Sequence, residues 1–244
     1  MIAYGLIGFP LSHSFSKKYF SDKFEKESIQ GSTYELFPLE NIHQLPALLL
    51  AHPNLKGLNV TIPYKEEVLS YLDLLSPVVE EIKACNCILI KDGKLIGYNT
   101  DVLGFEKTLE RKLKPHHKKA LVLGTGGAAK AVHYVLQKKG IDFLEVSRTN
   151  RNGAISYEEL DQQIMDAHTL IINTTPLGMY PNVEESPAIP YSCLGAQHYL
   201  YDLVYNPAKT KFLLEGEQRG AAIENGADML VVQAEASWEI WNQG

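Results

Sequence analysis

A chain of 244 residues that is 45% hydrophobic and 21% charged can bury a sizeable core, and its length leaves one or two domains open. A net charge of −6 at pH 7 provides no basic field to track a phosphate backbone, which argues against a nucleic-acid partner. Three cysteines, two of them at Cys85 and Cys87, form neither a disulfide framework nor a zinc motif, so no metal is expected and a reducing cytoplasm fits best.

Ile2 to Gly8 is a short apolar run closed by Phe9 and Pro10, and it reads as a buried strand breaking into a turn. Without a cationic leader it is a first strand rather than a signal peptide, and no stretch reaches membrane-spanning length. The loop PLSHSFS gathers Ser12, His13, Ser14 and Ser16, and Ser14 can cap a helix from Phe15 to about Ser28. A second strand is expected at Ser32 to Pro38 and an amphipathic segment around Leu45 to Ala51. Gly57 to Lys65, GLNVTIPYK, reads as a strand ending at Pro63, with Val60 and Ile62 on one face and Asn59 and Thr61 on the other. A half-polar strand tip beside Lys65 is a place where α/β folds collect function, although on local chemistry alone the lysine reads better as a solvated first-turn residue of a helix through Leu75.

CNCILI, then Asp92 and Gly93, then KLIGYN, predicts a hairpin with a type I′ turn. It ends in Asn99, Thr100 and Asp101, and aspartate is a favoured cap for a helix from Val102 to about Leu113. LKPHHKK reads as a solvated linker, with His116 and His117 at the surface and a domain boundary between Asp101 and Lys119.

Ala120 to Ala131, ALVLGTGGAAKA, has the form of a dinucleotide-binding βα unit. Ala120 to Leu123 is the strand, Gly124 the tight turn, Gly126 the place where a pyrophosphate can approach the backbone, and Ala129 the small residue for close helix packing. The helix should run to about Lys139 and stop at Gly140, with its N-terminal amides towards the phosphates. Asp142 to Val146 is the next strand, and Ser147 lies 21 residues after Gly126, where an NAD enzyme carries a carboxylate. Ser147, Arg148 and Thr149, with Arg151 nearby, supply hydroxyls and cations instead, which suits the 2′-phosphate of NADP. Glu145 competes for that role but reads better as a strand residue at the solvent edge.

Further on, Tyr157 to Met165 has helical periodicity, and Leu170 to Asn173 is a strand emptying into TTPLGM. Leu200 to Val204 is another strand, after which Pro207 can open a helix. In the final helix Met229, Val232 and Ala236 share one stripe, with Gln233 beside it.

Taken together, GFPLSHSFS, GLNVTIPYK, CN at 85 and 86, GYNTDVLGF, GTGGAAKA, SRT, NTTPLGM, YDLVYNP and GADMLVVQA resemble the shikimate dehydrogenase family over nearly the whole chain. The resemblance implies an α/β protein with a Rossmann-type dinucleotide-binding domain, residues 102–225, and a discontinuous α/β substrate domain, residues 1–101 and 226–244. It implies Lys65 and Asp101 as the catalytic pair. Ser14, Ser16 and Tyr205 match hydroxyls that hold the shikimate carboxylate, and Thr61, Asn86, Asp101 and Gln233 match groups around the ring hydroxyls. On the cofactor side it implies Gly124, Thr125, Gly126, Gly127 and Ala128 for the pyrophosphate, Ser147, Arg148 and Thr149 for the 2′-phosphate, and Leu203 and Gly226 beside the nicotinamide.

The activity so implied is cytoplasmic, NADP-dependent reversible reduction of 3-dehydroshikimate to shikimate, with a small molecule as partner and either a monomer or a homodimer as the working form. Lys65 would protonate the nascent alkoxide while Asp101 orients it. Departures from the family pattern are Ser147 for asparagine, Arg151 one place early, Cys87 for threonine and Asp228 at an uncharged position. The rival readings are a quinate/shikimate dehydrogenase using NAD, a methylenetetrahydrofolate dehydrogenase, and a silent NADPH-binding module.

Overall fold

The N-terminal apolar run forms β1 (Ile2–Gly8), in which every residue after Ile2 is buried, as in a strand covered on both faces. There follow α1 (Phe15–Lys26), β2 (Ser32–Pro38), α2 (Leu45–Ala51), β3 (Leu55–Val60), β4 (Leu74–Leu75), α3 (Pro77–Ile82), β5 (Cys87–Lys91), β6 (Lys94–Tyr98) and α4 (Asp101–Leu109). The remaining elements are β7 (Lys119–Leu123), α5 (Gly127–Lys138), β8 (Asp142–Ser147), β9 (Ile155–Ser156), α6 (Gln162–Ala167), β10 (Leu170–Asn173), β11 (Tyr199–Asp202), α7 (Lys211–Gln218), β12 (Ala222–Glu224) and α8 (Ala227–Trp241). The computed structural model describes residues 1–11, 14–148 and 153–243. Two units make up the chain, Met1–Leu103 with Val231–Gly244, and Gly104–Leu230, so that the divisions fall inside α4 and α8.

The first unit is built on a mixed sheet in the order β2-β1-β3-β5-β6-β4. β1 runs parallel to β2 and β3, while β5 and β6 form the expected hairpin, with Asp92 and Gly93 at φ 51° and 73° as a type I′ turn requires. Alternation along β1 sends Ile7 into a core with Leu45, Leu58 and Val68, and Leu6 into one with Phe20, Phe24 and Trp241. Aromatic packing fixes α8 on that second face: Trp238 and Trp241 lie 5.3 and 5.0 Å from Tyr4, and Trp241 Nε1 donates to the Ile88 carbonyl at 3.0 Å.

Several expectations for this unit are corrected. β3 stops at Val60 and the chain turns, so Val60 is buried whereas Ile62 is 73% exposed. No helix runs from Lys65 to Leu75; a short 3-10 turn at Glu67–Tyr71 gives way to β4, because Leu74 and Leu75 pair with Ile96 and Gly97. α1 ends at Lys26, two residues before Ser28 takes φ 55°.

The second unit carries an all-parallel sheet ordered β12-β11-β10-β7-β8-β9. Counted within the unit, this is 3-2-1-4-5-6 read from β9, the doubly wound arrangement of a Rossmann-type domain, whose switch point lies between β7 and β10. Leu121, Leu123, Val146, Ile171, Leu200 and Phe212 fill one core. Pro207 does not open a helix; α7 starts at Lys211, capped by Thr210, whose Oγ1 accepts from Leu213 N at 3.4 Å. The periodic run from Tyr157 is broken by Asp161, which caps α6 through Ile164 N at 2.8 Å. α4 ends at Leu109 rather than near Leu113. His117 is 3% exposed, not a surface residue: its Nδ1 accepts from Lys114 N at 3.2 Å, and its Nε2 lies 3.3 Å from the Gln197 carbonyl. Among the described residues no helix is long and apolar enough to cross a membrane.

Candidate active site

In the first unit, the turn that ends β3 is held at both sides: Thr61 N donates to Ile7 O at 2.9 Å and Cys85 N to Lys65 O at 2.7 Å. This brings Lys65 to the start of α4. Asn99, not Asp101, caps that helix, its Oδ1 accepting from Val102 N at 3.2 Å while its Nδ2 donates to Ala84 O at 2.9 Å. The Asp101 carboxylate is thereby left to accept from Lys65 Nζ at 2.6 Å, in a pair whose side chains are only 18% and 13% exposed.

Around this ion pair lies a neutral polar network. Asn86 is 3% exposed; its Oδ1 accepts from Thr100 N at 2.6 Å and its Nδ2 donates to Thr100 Oγ1 at 3.0 Å. The same hydroxyl reaches Gln233 Oε1 at 3.4 Å and Ser237 Oγ at 3.2 Å. Asn59, 4% exposed, accepts from the Tyr34 hydroxyl at 2.8 Å and donates to Ser237 Oγ at 3.0 Å. Ser16 bonds to that tyrosine, whose ionisation burial opposes strongly, so Tyr34 stays a neutral phenol. Ser14 serves as the cap of α1, accepting from Lys17 N at 3.3 Å. Burial pushes the Cys85 thiol up to about 12 and Cys87 higher still, so both neighbours of Asn86 remain neutral thiols. Lys65, Asp101, Ser16, Asn86 and Gln233 are thus joined to one another directly or through the backbone neighbour Thr100 and the Tyr34–Asn59–Ser237 link, and Thr61 sits half-buried at the end of the same strand.

In the second unit, β7 empties into Gly124 at φ 105°, a conformation that L side chains rarely adopt; a Cβ there would also lie 2.8 Å from Thr174 Oγ1 and Thr175 Cγ2. Thr125 and Gly126 are exposed, nothing lies within 4 Å of where a Cβ on Gly126 would stand, and α5 begins at Gly127 with Ala128 half-buried and Ala129 buried against the sheet. An open glycine corner before a twelve-residue helix fits a pyrophosphate. At the end of β8, Ser147 is half-buried and Arg148 exposed. Glu145 is not at the solvent edge: its carboxylate is half-buried, 3.0 Å from His133 Nε2, and that ring stacks on Phe143. Thr149 and Arg151 lie outside the described residues. Leu203 follows β11, and Gly226 packs so closely under it that a Cβ would run into the Leu203 carbonyl oxygen. Tyr205 is half-buried in the same segment, and burial raises its phenol pKa. Asp228 is explained by a salt bridge to Arg111. Among the described residues no group of three or more His, Cys, Asp or Glu could hold a metal.

The family model described as the shikimate dehydrogenase substrate binding domain matches residues 6–88, which lie in the first unit. The NADP(+) shikimate dehydrogenase of Caldicellulosiruptor bescii is 39% identical, across 97% of this chain and 88% of its own. This chain belongs to the shikimate dehydrogenase family. Among solved structures, the shikimate dehydrogenase of Aquifex aeolicus aligns with a TM-score of 0.89 at 30% identity, covering 100% of this chain and 93% of that one. The enzyme of Thermus thermophilus, solved in complex with NADP(H) and shikimate, aligns with a TM-score of 0.87 at 29% identity, covering 99% and 94%.

Tyr34, Asn59, Thr100 and Ser237 are not among the candidate residues read from the sequence. The signals that could have found them are an asparagine inside the apolar GLNV run and a serine one helical turn after Gln233.

Proposed function

We propose that this chain catalyses the reversible, NADP-dependent reduction of 3-dehydroshikimate to shikimate, a cytoplasmic step in aromatic amino acid biosynthesis. The observation that carries this reading is the shielded Lys65–Asp101 pair at 2.6 Å, set among neutral amides and hydroxyls. A ring bearing a ketone and hydroxyls is matched by such a lining, since each oxygen can meet a donor or acceptor without a second charge.

When bound, NADPH supplies the hydride that reduces the ring ketone. Lys65 gives its ammonium proton to the oxygen as negative charge develops there, and Asp101 holds the ammonium in place and accepts from a ring hydroxyl. Ser14 and Ser16, with Tyr205, take the carboxylate by hydrogen bonding, while Thr61, Asn86 and Gln233 read the remaining hydroxyls. Gly124 to Ala128 would cradle the pyrophosphate, Ser147, Arg148 and Thr149 the 2′-phosphate, and Leu203 and Gly226 the nicotinamide. At the end of β8 stand the hydroxyl of Ser147 and the guanidinium of Arg148 rather than a carboxylate, which favours the 2′-phosphate of NADP over the ribose diol of NAD.

The test is turnover of shikimate with NADP, followed by NADPH absorbance, beside quinate and NAD as alternatives. Preference for shikimate and NADP supports the proposal; equal or better use of quinate or NAD would replace it with the broader dehydrogenase reading.

A further inference from the structure

Asp202, at the end of β11, is a fully buried carboxylate for which the proposed reaction has no use. Three neutral donors converge on it: Asn173 Nδ2 at 2.9 Å and Val204 N at 3.0 Å on Oδ1, and Thr210 Oγ1 at 2.5 Å on Oδ2. Burying a charge without a counter-charge is costly, so its presence calls for a return elsewhere.

That return lies in where the partners lead. Asn173 turns its Oδ1 to Thr175, accepting from the backbone N at 3.0 Å and the hydroxyl at 2.6 Å, and Thr175 Oγ1 accepts from Leu177 N at 3.3 Å. Thr174 Oγ1 donates to Leu123 O at 2.8 Å, which seats both threonines against the Gly124 turn. In the other direction, Leu203 N donates to Asn173 O at 3.0 Å and Gly226 N to Val204 O at 3.2 Å. One carboxylate therefore reaches, through a single intervening group each, the loop packed on the glycine turn and the segment carrying Leu203.

We infer that Asp202 is a positioning residue for the dinucleotide, pinning the Thr174–Leu177 loop and the Leu203–Val204 segment in the shape that receives it. This rests on the proposed binding of NADP by the second unit. As a carboxylate Asp202 accepts from all three donors; with a proton added, one oxygen becomes a donor facing donors, and the cradle loosens. Burial raises its pKa to about 6, against the lowering effect of its three hydrogen bonds. Tyr191, pushed up to about 12 chiefly by burial, feels the charges of both Asp202 and Glu215.

The experiment is fluorescence titration of NADPH into the full chain, with shikimate binding measured separately, for wild type, Asp202→Ala and Asp202→Asn. Failure of the wild type to bind NADPH would overturn the cofactor reading and this inference together. Given wild-type binding, Asp202→Ala should weaken NADPH at least about tenfold and shikimate far less, because Tyr205, which follows the pinned segment, supplies only one of the proposed carboxylate contacts. Unchanged NADPH affinity, or equal loss for both ligands, would overturn the positioning role alone. Should Asp202→Ala fail to fold, Asp202→Asn decides, since it keeps the Oδ1 acceptor for Asn173 and Val204. The 2′-phosphate itself titrates near about pH 6, so the comparison is between wild type and Asp202→Asn at each pH. An extra loss of wild-type affinity below about pH 6, absent from Asp202→Asn, is expected; parallel profiles would overturn the inference.

Discussion

Lys65→Met removes the ammonium while keeping most of the apolar stem, and its effect separates proton donation from binding. The Lys65–Asp101 contact is a single charge-assisted bond of 2.6 Å between side chains 18% and 13% exposed, so water reaches the pair poorly and cannot readily replace the lysine as donor. A positioned general acid contributes about 10² to 10⁴ in rate, or roughly 3 to 5.5 kcal/mol of barrier. Because the carboxylate contacts proposed for Ser14, Ser16 and Tyr205 do not involve Lys65, kcat should fall by at least about a hundredfold with KM for shikimate moving only a few-fold. Asp101→Asn should lower kcat and also raise KM, and the double variant should be little worse than Lys65→Met if the two act as one unit. The assay is steady-state oxidation of shikimate by NADP with each variant. A raised KM with kcat near wild type would refute the acid role and leave Lys65 as a binding residue.

Other consequences follow from the cofactor side and from the buried titratable groups. Arg148→Ala should weaken NADP by roughly ten- to a hundredfold while changing NAD little, read as Kd for each; equal losses would show that another residue reads the phosphate. Gly226→Ala drives a Cβ into a backbone oxygen that must move, so it should lower the unfolding free energy by about 1 to 3 kcal/mol and weaken NADPH binding; a variant indistinguishable from wild type would contradict the packing. His117 is held neutral, with its pKa down to about 4 through burial and the neighbouring His116. Its folded pKa lies below the unfolded value, so its stabilisation is complete above about pH 6.5 and is lost as pH falls towards 4, by at most about 3 kcal/mol. Asp202 has the opposite sign: its pKa of about 6 exceeds the unfolded value, so its contribution is full below about pH 4 and lost by about pH 6, again about 3 kcal/mol at most. Urea denaturation between these limits should therefore show stability slopes shifted in opposite directions by His117→Gln and Asp202→Asn, and shifts of the same sign would contradict the assignment.

Features set by local backbone chemistry are legible in the sequence. The Gly124 turn and the Asp92–Gly93 hairpin need left-handed residues at fixed places, and the chain supplies them. What escapes depends on which surfaces meet. Asn59 alternates like a solvent-facing strand residue, but β3 is covered on both faces, so its amide is buried and bonded to Tyr34 and Ser237. Ile62 reads as sharing a face with Val60 because nothing local marks Val60 as the last residue of the strand. Asp101 has the chemistry of a helix cap, yet Asn99 occupies that role, and Glu145 has the pattern of a solvated residue, yet His133 lies beside it. His117 sits in a basic, polar stretch whose composition says surface, yet its ring packs near Tyr199. Most of these residues are placed by a partner far away in sequence, which local pattern does not encode.

The most direct test of the account is isotope transfer. The protein is incubated with 3-dehydroshikimate and NADPH deuterated at both positions of nicotinamide C4, and the product is examined by mass spectrometry. Shikimate carrying a single deuterium, formed by wild type and at least about a hundredfold more slowly by Lys65→Met, is the predicted result. Unlabelled shikimate, or no product from a protein that binds both ligands, would contradict it.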